Sequence, residues 1–335
     1  MDKQAWLDAT AEAPIDPDEE IIDPHHHLWD FPTGTYLVPE LHEDTGAGHR
    51  VTQTVFVECG AGYLEDGPEH MRPVGEISFV HEQARASRAA GGAQIAGIVG
   101  FADLSLGAAV GEVLAAQDAA GDGLFRGIRH ANAHDPSPDI RESHTRPPAG
   151  LLGTASFREG FRTLGEMGFT FDAWMFHPQV TELVDLVAAE PGTAVVLDHL
   201  GGPLGIGPYA DDPDGVRAVL RPALEALAAH DQVVVKVGGI GMSIYGAGFN
   251  KLPQAPTSAE VAARWSDDVR HCIDIFGPDR CMFESNFPVD RQGCSYTVLF
   301  NAFQRIATEG GYTAQERADL FAGTARRFYR LDPPV

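Results

Sequence analysis

The stretch "IIDPHHHLWD" (residues 21–30) places three consecutive histidines at the end of a short apolar run that begins with two β-branched residues. In an extended chain successive side chains turn to opposite faces, so His25 and His27 share a face with Asp23 while His26 points away. Two imidazoles then converge on one point. An isolated H-x-H is more often a solvated polar loop, so its meaning rests on what the remaining chain builds around it.

Working outward, seven further β-rich runs follow: "TQTVFVEC" (52–59), "QIAGIVGF" (94–101), "LFRGIRH" (124–130), "TFDAWMFH" (170–177), "TAVVLDH" (193–199), "QVVVKVGG" (232–239) and "RCMFESN" (280–286). With the opening "EIIDPH" (20–25) they make eight. Helical periodicity lies between them, clearest at Val261, Trp265, Val269, Cys272, Ile273 and Phe276, where Thr257 and Glu260 form a capping box and Gly277-Pro278 a stop. A second box, Thr313 with Glu316, opens a terminal helix. This alternation, with no linker-like shift in composition, predicts an α/β fold: a single-domain (β/α)8 TIM barrel over residues 19–335 behind a polar N-terminal arm over 1–18. A doubly wound open sheet is the alternative, but no glycine-rich phosphate loop follows any strand. Two aperiodic segments, 131–153 and 240–256, each follow a strand and are expected to lie over the mouth of the barrel.

The chain has 335 residues, 24 basic against 48 acidic, for a formal charge of -24. Such a field repels phosphate backbones and anionic membranes, so neither nucleic acid nor a membrane is an expected partner. Cys59, Cys272, Cys281 and Cys294 show no C-x-x-C spacing, and no apolar run approaches membrane-spanning length. A soluble cytoplasmic protein is expected, acting on a small carboxylated molecule and open to homo-oligomerisation.

Polar residues at the C-terminal ends of barrel strands are the usual catalytic positions. In order they are His25 and His27, Glu58, Asp103, Arg129 and His130, His177, Asp198 and His199, Lys236, and Glu284 with Asn286. Each alone has an ordinary structural explanation. Their recurrence at equivalent positions is what raises the opening histidines above a polar loop.

In this order and spacing, "IIDPHHHLWD", "FHPQ", "VLDHLGG" and "MFESNFPVD" resemble the amidohydrolase superfamily. The closer similarity is to its amidohydrolase-2 branch, which holds sugar-lactone and 2-pyrone-4,6-dicarboxylate lactonases together with metal-dependent aromatic decarboxylases. The resemblance implies one divalent metal, zinc or manganese, bound by His25, His27 and His177, with His199 orienting water or polarising a carbonyl. Neutral imidazoles suit such a cation, which brings the pKa of a bound water from about 16 toward 7. Arg129, with the bidentate fork of a guanidinium, is expected to hold a substrate carboxylate, helped by His130, Lys236 and Trp29. One departure stands out: "ESNFP" replaces the usual "GSDWP", so Asn286 occupies the place of the metal-binding or proton-accepting aspartate. An amide cannot serve as a general base. Glu58 is expected to supply the missing charge, with Glu284 deeper on the strand and hydrogen-bonded to a histidine.

The reading is a lactonase-like hydrolase that opens a cyclic ester or amide. A metal-dependent decarboxylase and a ligand-binding barrel without catalysis are the alternatives.

Overall fold

A computed structural model describes residues 3–334. Among these, eight parallel strands pair in chain order: β1 (Glu20–His26), β2 (Arg50–Val57), β3 (Gln94–Gly100), β4 (Phe125–Arg129), β5 (Thr170–Ala173), β6 (Val195–Leu197), β7 (Val233–Val237) and β8 (Cys281–Phe283). The return from β8 to β1 is a short bridge between His26 and Phe287, with the His27 N–H donating to Phe287 O at 2.8 Å and the Asn286 N–H to His25 O at 2.9 Å. These contacts bring the sheet round into a nearly closed (β/α)8 TIM barrel and set aside the open doubly wound sheet.

Helices follow each strand: α1 (Val38–Thr45), α2 (Val74–Ala90), α3 (Val110–Gly121), α4 (Ala155–Glu166), α5 (Val180–Ala189), α6 (Pro213–Ala228), α7 (Ser258–Phe276) and α8 (Tyr296–Glu309). Both capping boxes form. The Thr257 N–H donates to Glu260 Oε2 at 2.8 Å, and Thr313 N–H to Glu316 Oε2 at 2.7 Å.

Strand parity sorts the apolar residues into two layers. Ile22, Val55, Val57, Val99, Val196, Val234 and Met282 form a cluster with Tyr329 and Leu331, which close the floor of the barrel. Their neighbours Ile21, Phe56, Ile128, Val195, Val235 and Phe283 belong to the larger cluster shared with the helices. Full burial of each such side chain stabilises by about 1.5–3 kcal/mol.

Most strands end earlier than their sequence runs suggest. The fifth stops at Ala173 and the sixth at Leu197, because the chain then bends outward into loops at the mouth. The N-terminal arm is docked: in the helix Lys3–Asp8, Trp6 and Leu7 are buried with Ala255, and Trp6 Nε1–H donates to Leu252 O at 2.9 Å. No helix among the described residues is long and apolar enough to cross a membrane.

Candidate active site

Simple alternation fails at one point in β1. The register with β2 slips between Asp23 and His26, one extra residue being accommodated around Pro24, which has no N–H for the ladder. This bulge inverts the parity. Ile22 and His25 both lie inside the barrel, whereas Asp23, expected on the histidine face, accepts from Ser285 N–H at 2.9 Å and from the Tyr296 hydroxyl of α8 at 3.1 Å. His25 and His27 do approach each other, with ring centroids 5.0 Å apart. His26 turns away, edge-on to Phe56 at 6.1 Å, with neither ring nitrogen hydrogen-bonded. Burial drives its pKa down to about 3, so it is a neutral core side chain.

His25 sits at the centre of the polar cluster. Its Nδ1 is 2.9 Å from Glu284 Oε2, 3.2 Å from Lys236 Nζ and 3.8 Å from Asp198 Oδ1, while Nε2 faces Arg129 Nη1 at 3.3 Å. Burial, then the nearby Lys236 charge, pushes its pKa well below the usual histidine value, so the ring is neutral. His199 lies beside it, centroids 4.5 Å apart, on a backbone with φ of 55°. Its Nδ1 meets Glu284 Oε1 at 2.6 Å, and its N–H also donates to Oε1 at 3.2 Å. Glu284 thus touches both histidines, which fixes the proton of His199 on Nδ1. No hydrogen bond engages Nε2 among the described residues.

Lys236 is fully buried beneath this layer. Its ammonium donates to Asp172 Oδ2 at 2.5 Å and stands 3.2 Å from Asp198 Oδ1. The floor residue Tyr329 donates its hydroxyl to the same Asp172 oxygen at 2.7 Å. Although burial opposes its charge, Asp172, Asp198 and Glu284 raise the pKa of Lys236, so it is a permanent cation.

Arg129 closes the other side. Nε donates to Glu58 Oε1 at 2.8 Å and Nη2 to the Glu58 carbonyl at 2.7 Å, with Nη1 3.7 Å from Asp198 Oδ2. Burial acts to raise the Glu58 pKa, but Arg129 and His144 outweigh it and hold the carboxyl at about 2. His144 comes from the segment after β4, its Nε2 3.1 Å from Glu58 Oε2. That segment therefore lies at the mouth, as does the one after β7, where Tyr245 donates its hydroxyl to His199 O at 2.7 Å.

His27 is tied by Nδ1 to the Val57 carbonyl at 2.8 Å, while Nε2 faces Asn286 Oδ1 at 3.3 Å. Burial and Arg129 hold its pKa near 3. The carbonyl claims the proton on Nδ1, and Asn286 Nδ2–H is committed to Asp290 Oδ1 at 2.8 Å, so two acceptors confront each other. A shared cation or a proton between them relieves that mismatch. Asp290, four residues beyond Asn286, is fully buried; burial raises its pKa to about 7.

His177 is not brought into this cluster. It opens a 3-10 turn beyond β5, packs edge-on against Tyr209 at 4.9 Å, and its Nδ1 accepts from Leu204 N–H at 3.4 Å. His130 likewise turns to Phe101 and accepts from Leu104 N–H at 3.3 Å. Trp29 stacks on His27 with centroids 6.2 Å apart, and Trp174, which sequence reasoning did not single out, lies edge-on to His199 at 4.8 Å. Asp172 and Asp290 were also passed over. An aspartate inside the apolar run of β5, matched by a lysine inside that of β7, was the available signal for the first.

A divalent cation fits this donor set. His25, Asp198 and His199 each offer a ligand atom within 4.8 Å of the others. Both Asp198 oxygens and Glu284 Oε2 are buried and, despite their charged or imidazole neighbours, accept no well-aligned hydrogen bond among the described residues, so each has lone pairs left for a cation. Among the described residues, the carboxylates Glu58, Asp172, Asp198 and Glu284 face two permanent cations, Lys236 and Arg129, with His144 beside Glu58, a negative excess that a bound cation would offset.

The amidohydrolase family profile matches residues 22–331. An uncharacterized protein, y4mH, of Sinorhizobium fredii is 30% identical over 94% of this chain and 99% of its own. The L-fucono-1,5-lactonase of Burkholderia multivorans is 29% identical over 94% of this chain and 97% of its own. A crystal structure of an amidohydrolase from Burkholderia multivorans with bound zinc superposes with a TM-score of 0.72 at 26% identity, covering 93% of this chain and 99% of that one. With the barrel and its strand-end cluster already in place, these matches make the chain a member of the amidohydrolase family and an enzyme of that superfamily.

Proposed function

We propose that the protein hydrolyses a lactone of a small polar acid, opening the ring to the hydroxy acid, with one divalent ion, zinc or manganese, at His25, Asp198 and His199. The observation that carries this reading is the Glu284 carboxylate set between His199 Nδ1 at 2.6 Å and His25 Nδ1 at 2.9 Å, beside the Asp198 carboxylate, which has ion pairs but no hydrogen bond among the described residues. Similarity to a lactonase over nearly the whole chain supports ester rather than carbon–carbon chemistry. The bound ion would supply Lewis-acid polarisation and a nucleophilic water at neutral pH.

This chain's own residues do the rest. Glu284 accepts the Nδ1–H of His199 and so presents the Nε2 lone pair. Asp198, held between Lys236 and Arg129, takes the proton of the attacking water and returns it to the ring oxygen as the acyl C–O bond breaks. Trp29 and Trp174, flanking His27 and His199, offer apolar faces for the C–H side of a small ring. Arg129 is committed to Glu58 and His25, so its effect on an anionic substrate is one of charge at short range rather than a free bidentate fork.

A panel of 1,4- and 1,5-lactones of sugar acids, including L-fucono-1,5-lactone, tests the reading by acid release at constant pH. Turnover of at least one lactone, lost on treatment with chelator and restored by zinc or manganese, is the expected result. Release of carbon dioxide from aromatic acids with no lactone turned over would instead establish the decarboxylase alternative.

A further inference from the structure

Outside the barrel, between α6 and α7, lies a cavity of about 220 Å³ that the reaction centre does not use. Its body is apolar, with Leu204, Leu220, Leu224 and Tyr245 among the lining side chains. Its polar atoms have an unusual composition. Trp265 is 1% exposed, yet its indole N–H has no hydrogen-bond partner, and the same holds for Arg221 Nε and His271 Nε2. Arg264, which also lines the cavity, lies over the Trp265 ring at 4.5 Å and makes no ion pair or hydrogen bond among the described residues.

The single carboxylate in the lining, Asp268, is already satisfied: Arg217 grips it with two bonds of 2.9 and 3.0 Å, and Arg221 adds a third at 3.0 Å. What remains unsatisfied is therefore almost wholly donors. Arg264 is the lining guanidinium left without an acceptor among the described residues, and a guanidinium at the edge of an apolar cavity calls for an acceptor that brings negative charge. Arg217 pairs with Asp268 and Asp214 and Arg221 with Asp267 and Asp268, which leaves Arg264 as the lining guanidinium with no ion pair among the described residues. Arg217 and Arg221 are 31% and 30% exposed, which leaves the rim open to solvent.

We propose that this cavity is a second binding site, for a small carboxylate with an aromatic or branched aliphatic body. The carboxylate is received by Arg264 at the edge of the cavity, and the body lies among the leucines. The site backs onto the reaction centre: the Tyr245 ring packs on Trp265 at 5.8 Å, and its hydroxyl holds the His199 carbonyl at 2.7 Å.

Benzoate is the probe, titrated calorimetrically into the full-length protein, with benzylammonium as the ring of opposite charge. Saturable binding of benzoate and none of benzylammonium is expected. Arg264→Gln, at a half-buried surface position, should weaken benzoate at least tenfold, and Arg264→Lys, which keeps the charge, should weaken it severalfold less. Both variants are checked for an unchanged melting temperature. Glu284→Gln should leave benzoate affinity unchanged, which separates this cavity from the reaction centre. Binding indifferent to Arg264→Gln, binding abolished by Glu284→Gln, or soaked crystals holding only water in the cavity would each overturn the proposal.

Discussion

Glu58 and Glu284 are both fully buried carboxylates just past the ends of barrel strands, and they do opposite things. Glu58 is bound to a permanent cation, Arg129, and to a histidine from the covering loop, which together hold its pKa near 2. Glu284 faces two imidazoles and leaves one oxygen without a hydrogen bond. A carboxylate neutralised by a guanidinium is an anchor for the wall. One that meets two imidazoles orients their rings and leaves field for a cation. Partner identity, not position on the barrel, decides which role a strand-end acid takes.

The difference can be broken first at the anchor. Arg129→Met strands Glu58 as a buried charge, and loss of one partner of such a pair costs about 3–5 kcal/mol, read by urea unfolding at pH 7. The sign follows from the lowered pKa of Glu58. The stabilisation is present above the unfolded value of 4.5 and lost as pH falls through 2, so the variant should lack that part of the acid limb. An unchanged unfolding midpoint would remove Glu58 and Arg129 from the wall.

A smaller effect is expected at His26, the histidine that faces away. Its pKa is about 3 folded against 6.5 unfolded, so its neutral form favours the fold above pH 6.5, and that advantage is lost as pH falls toward 3. At pH 5 the loss is about 2 kcal/mol, since each pKa unit is worth about 1.4 kcal/mol. His26→Leu should therefore gain about that much on the wild type between pH 8 and pH 5, with turnover intact. A parallel pH dependence in the two proteins would mean that His26 is not buried as described.

The smallest change is predicted at the loop. The His144 side chain is 47% exposed, and such a pair contributes under about 1 kcal/mol. His144→Ala should barely move the melting temperature and should act instead on KM, because it frees the segment that covers the mouth. A large stability loss would make this segment part of the wall.

Much of this arrangement was legible in the sequence. Eight runs in alternation with helices gave the barrel, and the strand-end positions gave His25, Glu58, Arg129, Asp198, His199, Lys236 and Glu284, which do meet in one place. What eluded reading has specific physical causes. Pro24 removes a ladder donor and forces the bulge that inverts the face of Asp23, which a strict period of two does not carry. His177 lies beyond the point where β5 ends, so a run of apolar residues overstated the strand. His144, Trp174 and Asp290 reach the centre from loops, whose course no periodicity encodes. The floor contact from Tyr329 to Asp172 joins residues 157 apart in sequence. Only the closed barrel brings them together.

The most direct measurement compares Glu284→Gln with Glu58→Gln, each assayed for lactone turnover, metal content and unfolding free energy in the same buffer. Glutamine at 284 retains the shape but removes the charge between His25 and His199. A loss of about 10–100-fold in kcat is expected, together with weakened zinc or manganese retention and little change in stability. Glutamine at 58 should cost stability, with any loss of turnover following the unfolded fraction. If Glu284→Gln keeps full turnover and metal while Glu58→Gln loses both in a fully folded protein, the two roles are reversed and the reaction centre lies around Glu58 instead.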